Sequence, residues 1–173
     1  MNDILDIIVS RRSVKKFKSD MVEKQLIDKV LKAGISAPTG KNLQSPIILA
    51  VTNREVRDKL SKLCASVRGI DIDPFYNAPV VLVVLADKSV FTHIYDGSCV
   101  MENMLLEARS LGLGACWIHS AKQMFETSEG KELLKSLGIN GDYEGIGNCI
   151  LGYSAVKPIG EIKRKDNYIY YID

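Results

Sequence analysis

No apolar run in this sequence approaches the ~20 residues needed to cross a bilayer; even the long stretch at 78–86 falls far short. No membrane span is expected. Asn2, Asp3 and Asp6 put polar and acidic groups where a secretory signal carries positive charge, and no small-residue cleavage site follows. The protein is therefore expected in the cytoplasm. Cysteine is sparse and scattered: Cys64, Cys99, Cys116 and Cys149 form no C-x-x-C pair, which argues against a zinc site or a thioredoxin-like couple. Without a secretory signal, an even count is no evidence for bridges. Cys64, Cys99 and Cys149 sit among apolar residues and read as small core hydrophobes. Cys116 with His119 offers a nucleophile and a base three positions apart, but strand residues so spaced face opposite sides, so the pair would need a bend. Phosphate-binding signatures are missing too. There is no G-x-x-x-x-G-K-[ST], and Gly112-Leu113-Gly114 lacks the third glycine of a dinucleotide fingerprint and follows a helix. A G-x-S-x-G nucleophile elbow is also absent. Nor is there an excess of one charge: 23 basic and 21 acidic residues leave +2, which excludes a protein whose whole face grips nucleic acid.

What remains is a chain of 173 residues, 46% apolar and 25% charged, long enough to bury one core and read as a single domain over 1–173. Its near-neutral total hides two basic knots. Arg11, Arg12, Lys15, Lys16 and Lys18 crowd one stretch, and Lys157, Lys163, Arg164 and Lys165 another. Before the first knot, Ile4, Leu5, Ile7 and Ile8 predict a short helix capped by Asn2 or Asp3. Leu26, Ile27, Val30, Leu31 and Gly34 have helical spacing that stops at Pro38-Thr39-Gly40. Val56, Leu60, Leu63, Cys64 and Val67 mark an amphipathic helix. Strands are predicted at 47–51, 80–85, 115–118 and 148–153, and a short helix at 129–137. The run 80–85 is solidly apolar, hence a strand buried on both faces. The helix at 94–111 has so little polar face that it needs cover almost all round, which a second subunit would give. After a polar connector, Tyr168-Ile169-Tyr170-Tyr171-Ile172 reads as a strand that must add to an existing edge, its own or a neighbour's. His93 reads as a surface or cap residue. The fold class is α+β, with helices on both faces of a small mixed sheet.

Arg11-Arg12-Ser13 puts two guanidiniums and a hydroxyl on consecutive residues, and guanidinium forks match phosphate oxygens two at a time. The alternative is that cations just past a helix C-terminus merely complement its dipole. Four segments taken together carry a resemblance: Arg11-Arg12-Ser13-Val14-Lys15-Lys16-Phe17, Ala37-Pro38-Thr39-Gly40-Lys41-Asn42-Leu43-Gln44, Leu111-Gly112-Leu113-Gly114-Ala115-Cys116-Trp117-Ile118, and Leu151-Gly152-Tyr153 before a basic tail. In order and spacing, over nearly the whole chain, they resemble the nitroreductase family of FMN-dependent oxidoreductases. The resemblance implies a nitroreductase-like homodimer with a mixed central sheet flanked by helices, C-terminal strand exchange, and two FMN sites at the subunit interface. It implies hydride taken from NADH or NADPH and passed, in a ping-pong cycle, to a small electron-poor acceptor such as a nitroaromatic or quinone. An FMN-binding protein that sequesters flavin with little turnover is the alternative.

By position, Arg11, Arg12 and Ser13 match the family's FMN-anchoring segment, with Arg164 as C-terminal phosphate partner and Lys163 or Lys165 as helper. Lys15 matches the basic residue near flavin N1 and O2, where a fixed ammonium favours the reduced state. Pro38, Thr39 and Gly40 match the turn along the ring, from the other subunit, with Asn42 bonding the ribityl or ring edge; Asn42 and Gln44 would otherwise satisfy turn backbone. Trp117, Ile118 and His119 match the segment passing flavin N5. There the His119 N–H is the simplest donor, and its imidazole is a candidate to steer a proton. Two departures stand out. Ser45 occupies the place of a frequent proline, with no tryptophan after it, and the 68–77 loop leaves little room for a lid.

Overall fold

The computed structural model describes residues 3–157, 160 and 162–173. Helix α1 (Ile4–Ser10) opens the chain with Asp3 at its N-cap position but no side-chain cap bond; Asn2 lies outside the described residues. No residue of α1 is buried, and Ile4, Leu5, Ile8 and Val9 are exposed. Helix α2 (Lys24–Ile35) follows, then a short 3-10 turn over Gly40–Asn42 and strand β1 (Pro46–Val51). Helix α3 (Arg54–Arg68) starts where the Asn53 side chain accepts the Val56 N–H at 3.0 Å, which satisfies one of the donors every helix start leaves open. The remaining elements are β2 (Val80–Asp87), α4 (His93–Ser110), β3 (Gly114–Ile118), α5 (Ala121–Glu126), α6 (Ser128–Ser136) and β4 (Tyr143–Gly152). Among the described residues no helix is long and apolar enough to cross a membrane.

The sheet runs β1-β2-β4-β3, and all three pairings are antiparallel. The mixed sheet expected from the sequence is corrected in this respect. Parallel pairing among the described residues is confined to one isolated bridge, Ser13 to Ala115, because the segment after α1 enters beside β3 and does not form a strand of its own. Strand β2 is buried from Val80 to Ala86, as its unbroken apolar run predicts. Within that run the residues still alternate. Val80, Leu82 and Val84 face a layer made by α2 and α4 (Val30, Met101, Met104), while Val81, Val83 and Leu85 face α3 and α5 (Leu60, Cys64, Met124, Phe125).

Strand β4 begins at Tyr143, earlier than the expected 148, because it continues through a bulge at Gly145-Ile146-Gly147 opposite Val84 and Leu85. A Cβ on Gly145 would run into the Ala121 carbonyl of α5. That helix, six residues long, is too short to announce itself by periodicity. The expected strand at 168–172 is exposed along its whole length and pairs with no strand among the described residues of its own chain. Cys64, Cys116 and Cys149 are buried, and burial pushes the Cys149 thiol up to about 12. Cys99 departs from expectation: it is exposed on the outer face of α4, so it is no core residue of the single chain.

Candidate functional site

Arg11 leaves α1 in extended conformation, and the next seven residues form a strap across one end of the sheet. The Val14 N–H donates to the Ala115 carbonyl at 3.0 Å, the Lys18 N–H to Tyr153 at 2.9 Å, and the Ala155 N–H to Lys16 at 2.9 Å. Phe17 bridges Ser154. Sequence-distant residues 11–18, 114–118 and 152–155 are thereby joined. From the parallel bridge between Ser13 and Ala115, Lys15 and Trp117 lie two residues onward in the same direction. Ser13 and Lys15 are exposed, and the Lys15 ammonium lies 5.8 Å from the centre of the Tyr76 ring, a favourable cation–π arrangement.

The two neighbouring arginines differ. Arg12 donates from Nε and Nη2 to the Gly160 carbonyl at 3.1 and 3.0 Å, and from Nη1 to Val9 and Arg11 carbonyls at 2.7 Å each. Four of its five N–H donors are therefore engaged by main chain, and it clips the C-terminal segment to the strap. Arg11 is half-buried and makes a long ion pair, 3.7 Å, with the half-exposed Glu102. Arg11 and Arg12 line a pocket of about 190 Å³ with Ser10, Arg109, Gly112 and Ser154. Lys163 and Arg164 are exposed, and among the described residues no hydrogen bond or ion pair joins them to the strap. Lys165 lies over the Tyr168 ring at 5.4 Å.

Pro38, Thr39, Gly40 and Asn42 are not brought to this strap. Thr39 and Asn42 border a separate cavity of about 580 Å³, lined also by Gln44, Ile35 and Val100, which shares no residue with the first. The turn is held open by positive φ at Lys41, Asn42 and Gln44, a strained arrangement for non-glycine residues. Its anchor is Asp96, buried in the first turn of α4. Asp96 accepts the Gly40 N–H at 2.9 Å, the Ser45 hydroxyl at 2.9 Å and the Thr92 hydroxyl at 3.1 Å. Ser45, which replaces a frequent proline, is thus one leg of that anchor. Gln44 donates its N–H to Thr39 Oγ1 at 3.1 Å and its side-chain amide to Asn42 Oδ1 at 3.3 Å, so both side chains serve the turn itself.

At the far end of β3, Trp117 lies flat against Gly147, where a Cβ would overlap the indole nitrogen. That nitrogen is buried without an acceptor. Asn148, fully buried, donates to the Ile118 carbonyl at 3.2 Å. Pairing ends there, so His119 stands beyond the ladder, exposed. Cys116 is buried with its thiol directed at the Trp117 carbonyl, 3.7 Å away, and so does not pair with His119. His93 begins α4, with Nδ1 2.8 Å from the Val90 carbonyl.

The loop at 69–78 is built on a buried arginine. Arg57 donates to Asp73 at 2.5 Å, Asp58 at 2.9 Å and the Ala78 carbonyl at 3.0 Å. Burial raises the Asp73 carboxyl, but bonds from Ser61, Arg57 and the N–H groups of Asn77 and Phe75 outweigh it and leave its pKa below the ordinary carboxylate value. This network fixes Tyr76 above Lys15. Neither it nor Asp96 nor Arg109 was legible in the sequence, since each acts on a residue 16 or more positions away in an unpredictable direction.

A Nitroreductase family model matches residues 8–67 and 70–153. The chain belongs to the Nitroreductase family. Among solved structures, the chain is similar to a nitroreductase from Bacteroides fragilis with bound FMN, at 26% identity and a TM-score of 0.90, with 100% of both chains covered. A second, from Desulfitobacterium hafniense, also with bound FMN, gives 25% identity and a TM-score of 0.86 at full coverage of both chains. The NADPH-flavin oxidoreductase of Vibrio harveyi is 28% identical over 141 residues, which are 73% of this chain and 59% of that protein. A Methanothermobacter thermautotrophicus relative is 32% identical over 123 residues, 60% of its length. The chain thus spans about 60% of the length of these two relatives.

Proposed function

We propose that this protein is an FMN-dependent oxidoreductase that takes hydride from NADH or NADPH and reduces a small electron-poor acceptor, nitroaromatic or quinone-like. The carrying observation is the strap. Hydrogen bonds to Ala115 and Tyr153 align Arg11, Ser13 and Lys15 alongside β3, whose end presents Trp117, Ile118 and His119. A phosphate-sized cationic pocket at one end of that line and an exposed ammonium further along it fit an elongated cofactor with a dianionic tail. FMN-bound relatives of the same fold support the same reading.

FMN, when bound, supplies the hydride chemistry. Arg11 and Ser13 hold its phosphate, with Arg164 and Lys163 closing from the C-terminal segment that Arg12 tethers. Lys15 favours negative charge at the pyrimidine edge, and Tyr76 limits where its ammonium can stand. His119, just past the end of β3 and exposed, would offer a main-chain N–H to the flavin and an imidazole as a proton carrier. Pro38, Thr39, Gly40 and Asn42 reach the site of a second subunit, a reading supported by their distance from the strap of their own chain. The homodimer is further supported by the uncovered apolar residues of α1, by Ile94, Tyr95 and Cys99 on the outer face of α4, and by the edge strand β1, which can receive residues 168–172 of the partner.

Anaerobic titration of the flavin-loaded protein with NADH and with NADPH tests the proposal. Bleaching by one or both, and recolouring by a nitroaromatic or quinone, is expected. A yellow protein that neither nicotinamide bleaches would favour flavin sequestration. His119→Ala with unchanged rates and pH profile in both half-reactions would remove the imidazole from the chemistry.

A further inference from the structure

We infer that Arg109, at the end of α4, is the second guanidinium of the phosphate-binding pocket, in the place that the consecutive Arg11-Arg12 pair suggests for Arg12. The inference rests on the FMN reading and deepens it.

Three arginines border the pocket of about 190 Å³, but they are not equivalent. Arg12 has four donors on main-chain carbonyls. Arg109 uses only Nε, which donates to the Ser10 hydroxyl at 3.0 Å. That bond fixes the plane of its fork and leaves both terminal nitrogens without a protein acceptor among the described residues. Among the described residues, the Arg11 side chain is committed only to the 3.7 Å pair with Glu102. Arg11 and Arg109 therefore border one cavity, and the half-exposed Glu102 that pairs with Arg11 is not among its lining residues; like-charge repulsion disfavours the arrangement until an anion arrives. The cavity lies below the ~300 Å³ at which pockets for whole small molecules begin, so it suits a phosphate monoester and not a three-ring system. Two forks converging on one group are the arrangement that binds a dianion with directionality. Position in the fold agrees: Ala115 and Val14, which also line the cavity, belong to the same β3 and strap that lead on to Lys15 and Trp117.

A phosphate monoester is carried both by FMN and by the ribose of NADPH. We assign the pocket to FMN, because it opens beside the strap that carries the other candidate flavin contacts. A merely structural role is the competing account, since an arginine in the last turn of a helix complements its dipole.

Full-length wild type, Arg109→Ala and Arg109→Lys, each stripped of flavin and shown by circular dichroism to be folded, are titrated with FMN and with riboflavin by flavin fluorescence. The expected result is a loss of FMN affinity of about 10- to 100-fold in Arg109→Ala, a smaller loss in Arg109→Lys, and riboflavin affinity unchanged in both. Equal losses for FMN and riboflavin, or no loss, overturn the proposal while leaving the FMN reading intact. If the FMN-to-riboflavin ratio is unchanged and, in a parallel steady-state assay of the flavin-loaded proteins, Arg109→Ala raises KM for NADPH but not for NADH, the pocket belongs to the nicotinamide phosphate and the flavin assignment is overturned. Wild type that binds neither flavin overturns the FMN reading and this proposal with it.

Discussion

The Asp96 carboxylate, buried in the first turn of α4, holds the Gly40 N–H at 2.9 Å. Through that bond the helix expected to face a second subunit also sets the turn expected to cover that subunit's flavin. The same carboxylate accepts from Ser45 and Thr92, so three donors with no other partner among the described residues depend on one side chain.

Asp96→Ala is therefore expected to destabilise the fold by about 2–4 kcal/mol, because buried donors left unpaired cost more than the bonds themselves contribute. Urea unfolding measures this. The variant should also bind FMN less tightly, and unchanged stability would show that the turn is held by other means.

Trp117 is the only tryptophan in the chain, which makes its fluorescence a report on a single place. Gly147→Ala puts a Cβ into the indole nitrogen's position. The ring must move outward, so the emission should shift to the red, with a loss of about 1–3 kcal/mol from overpacking. An unshifted spectrum would mean the ring is not seated on Gly147.

Neighbouring arginines should give different phenotypes. Arg11→Ala and Arg164→Ala are each expected to weaken FMN retention by about 1.5–3 kcal/mol, the range for hydrogen bonds to charged groups. Arg12→Ala removes the clip to Gly160 and should release the C-terminal segment, seen as faster proteolysis after residue 157. Its FMN-to-riboflavin affinity ratio should change less than that of Arg11→Ala.

Asp73 makes stability depend on acid. Its folded pKa is lowered, so its contribution is complete above the unfolded value of about 3.9 and is lost as pH falls through the lower folded value. Asp73→Asn should flatten that limb of the stability–pH curve, measured by thermal unfolding from pH 5 downward, and should loosen Tyr76 from Lys15.

Deleting residues 168–173 tests the strand exchange. Tyr168 to Ile172 are exposed in the single chain, so their loss should leave the monomer fold intact while shifting sedimentation from dimer toward monomer. A truncated protein that stays dimeric at low micromolar concentration would remove this segment from the interface.

Local signals were legible in proportion to how much of their cause is local. The helix α3 shows in the spacing of Val56, Leu60 and Cys64, since one wet and one dry face imposes that period. The buried strand β2 shows in its unbroken apolar run. The start of β4 was placed late, at 148, because a bulge at residues 145–147 breaks the strand pattern and only the pairing with β2 and the approach of Ala121 carry the strand through it. Helix α5 was hidden by its shortness. The four nitroreductase segments were recognisable because their order and spacing survive where overall identity to solved relatives is about 26%.

Sequence alone, then, determined the α+β class, the family and the two basic knots, because apolar period, turn residues and motif order are written along the chain. Tertiary structure decided what each cation does. Arg11, Arg12 and Arg109, the last nearly a hundred residues away, all border one pocket, but Arg12 spends its fork on main-chain carbonyls, Gly160 among them, while Arg109 uses only its Nε on Ser10. The partner that engages a guanidinium is set by which groups the fold brings within hydrogen-bond reach, and that is a property of the packed chain and not of the neighbouring letters.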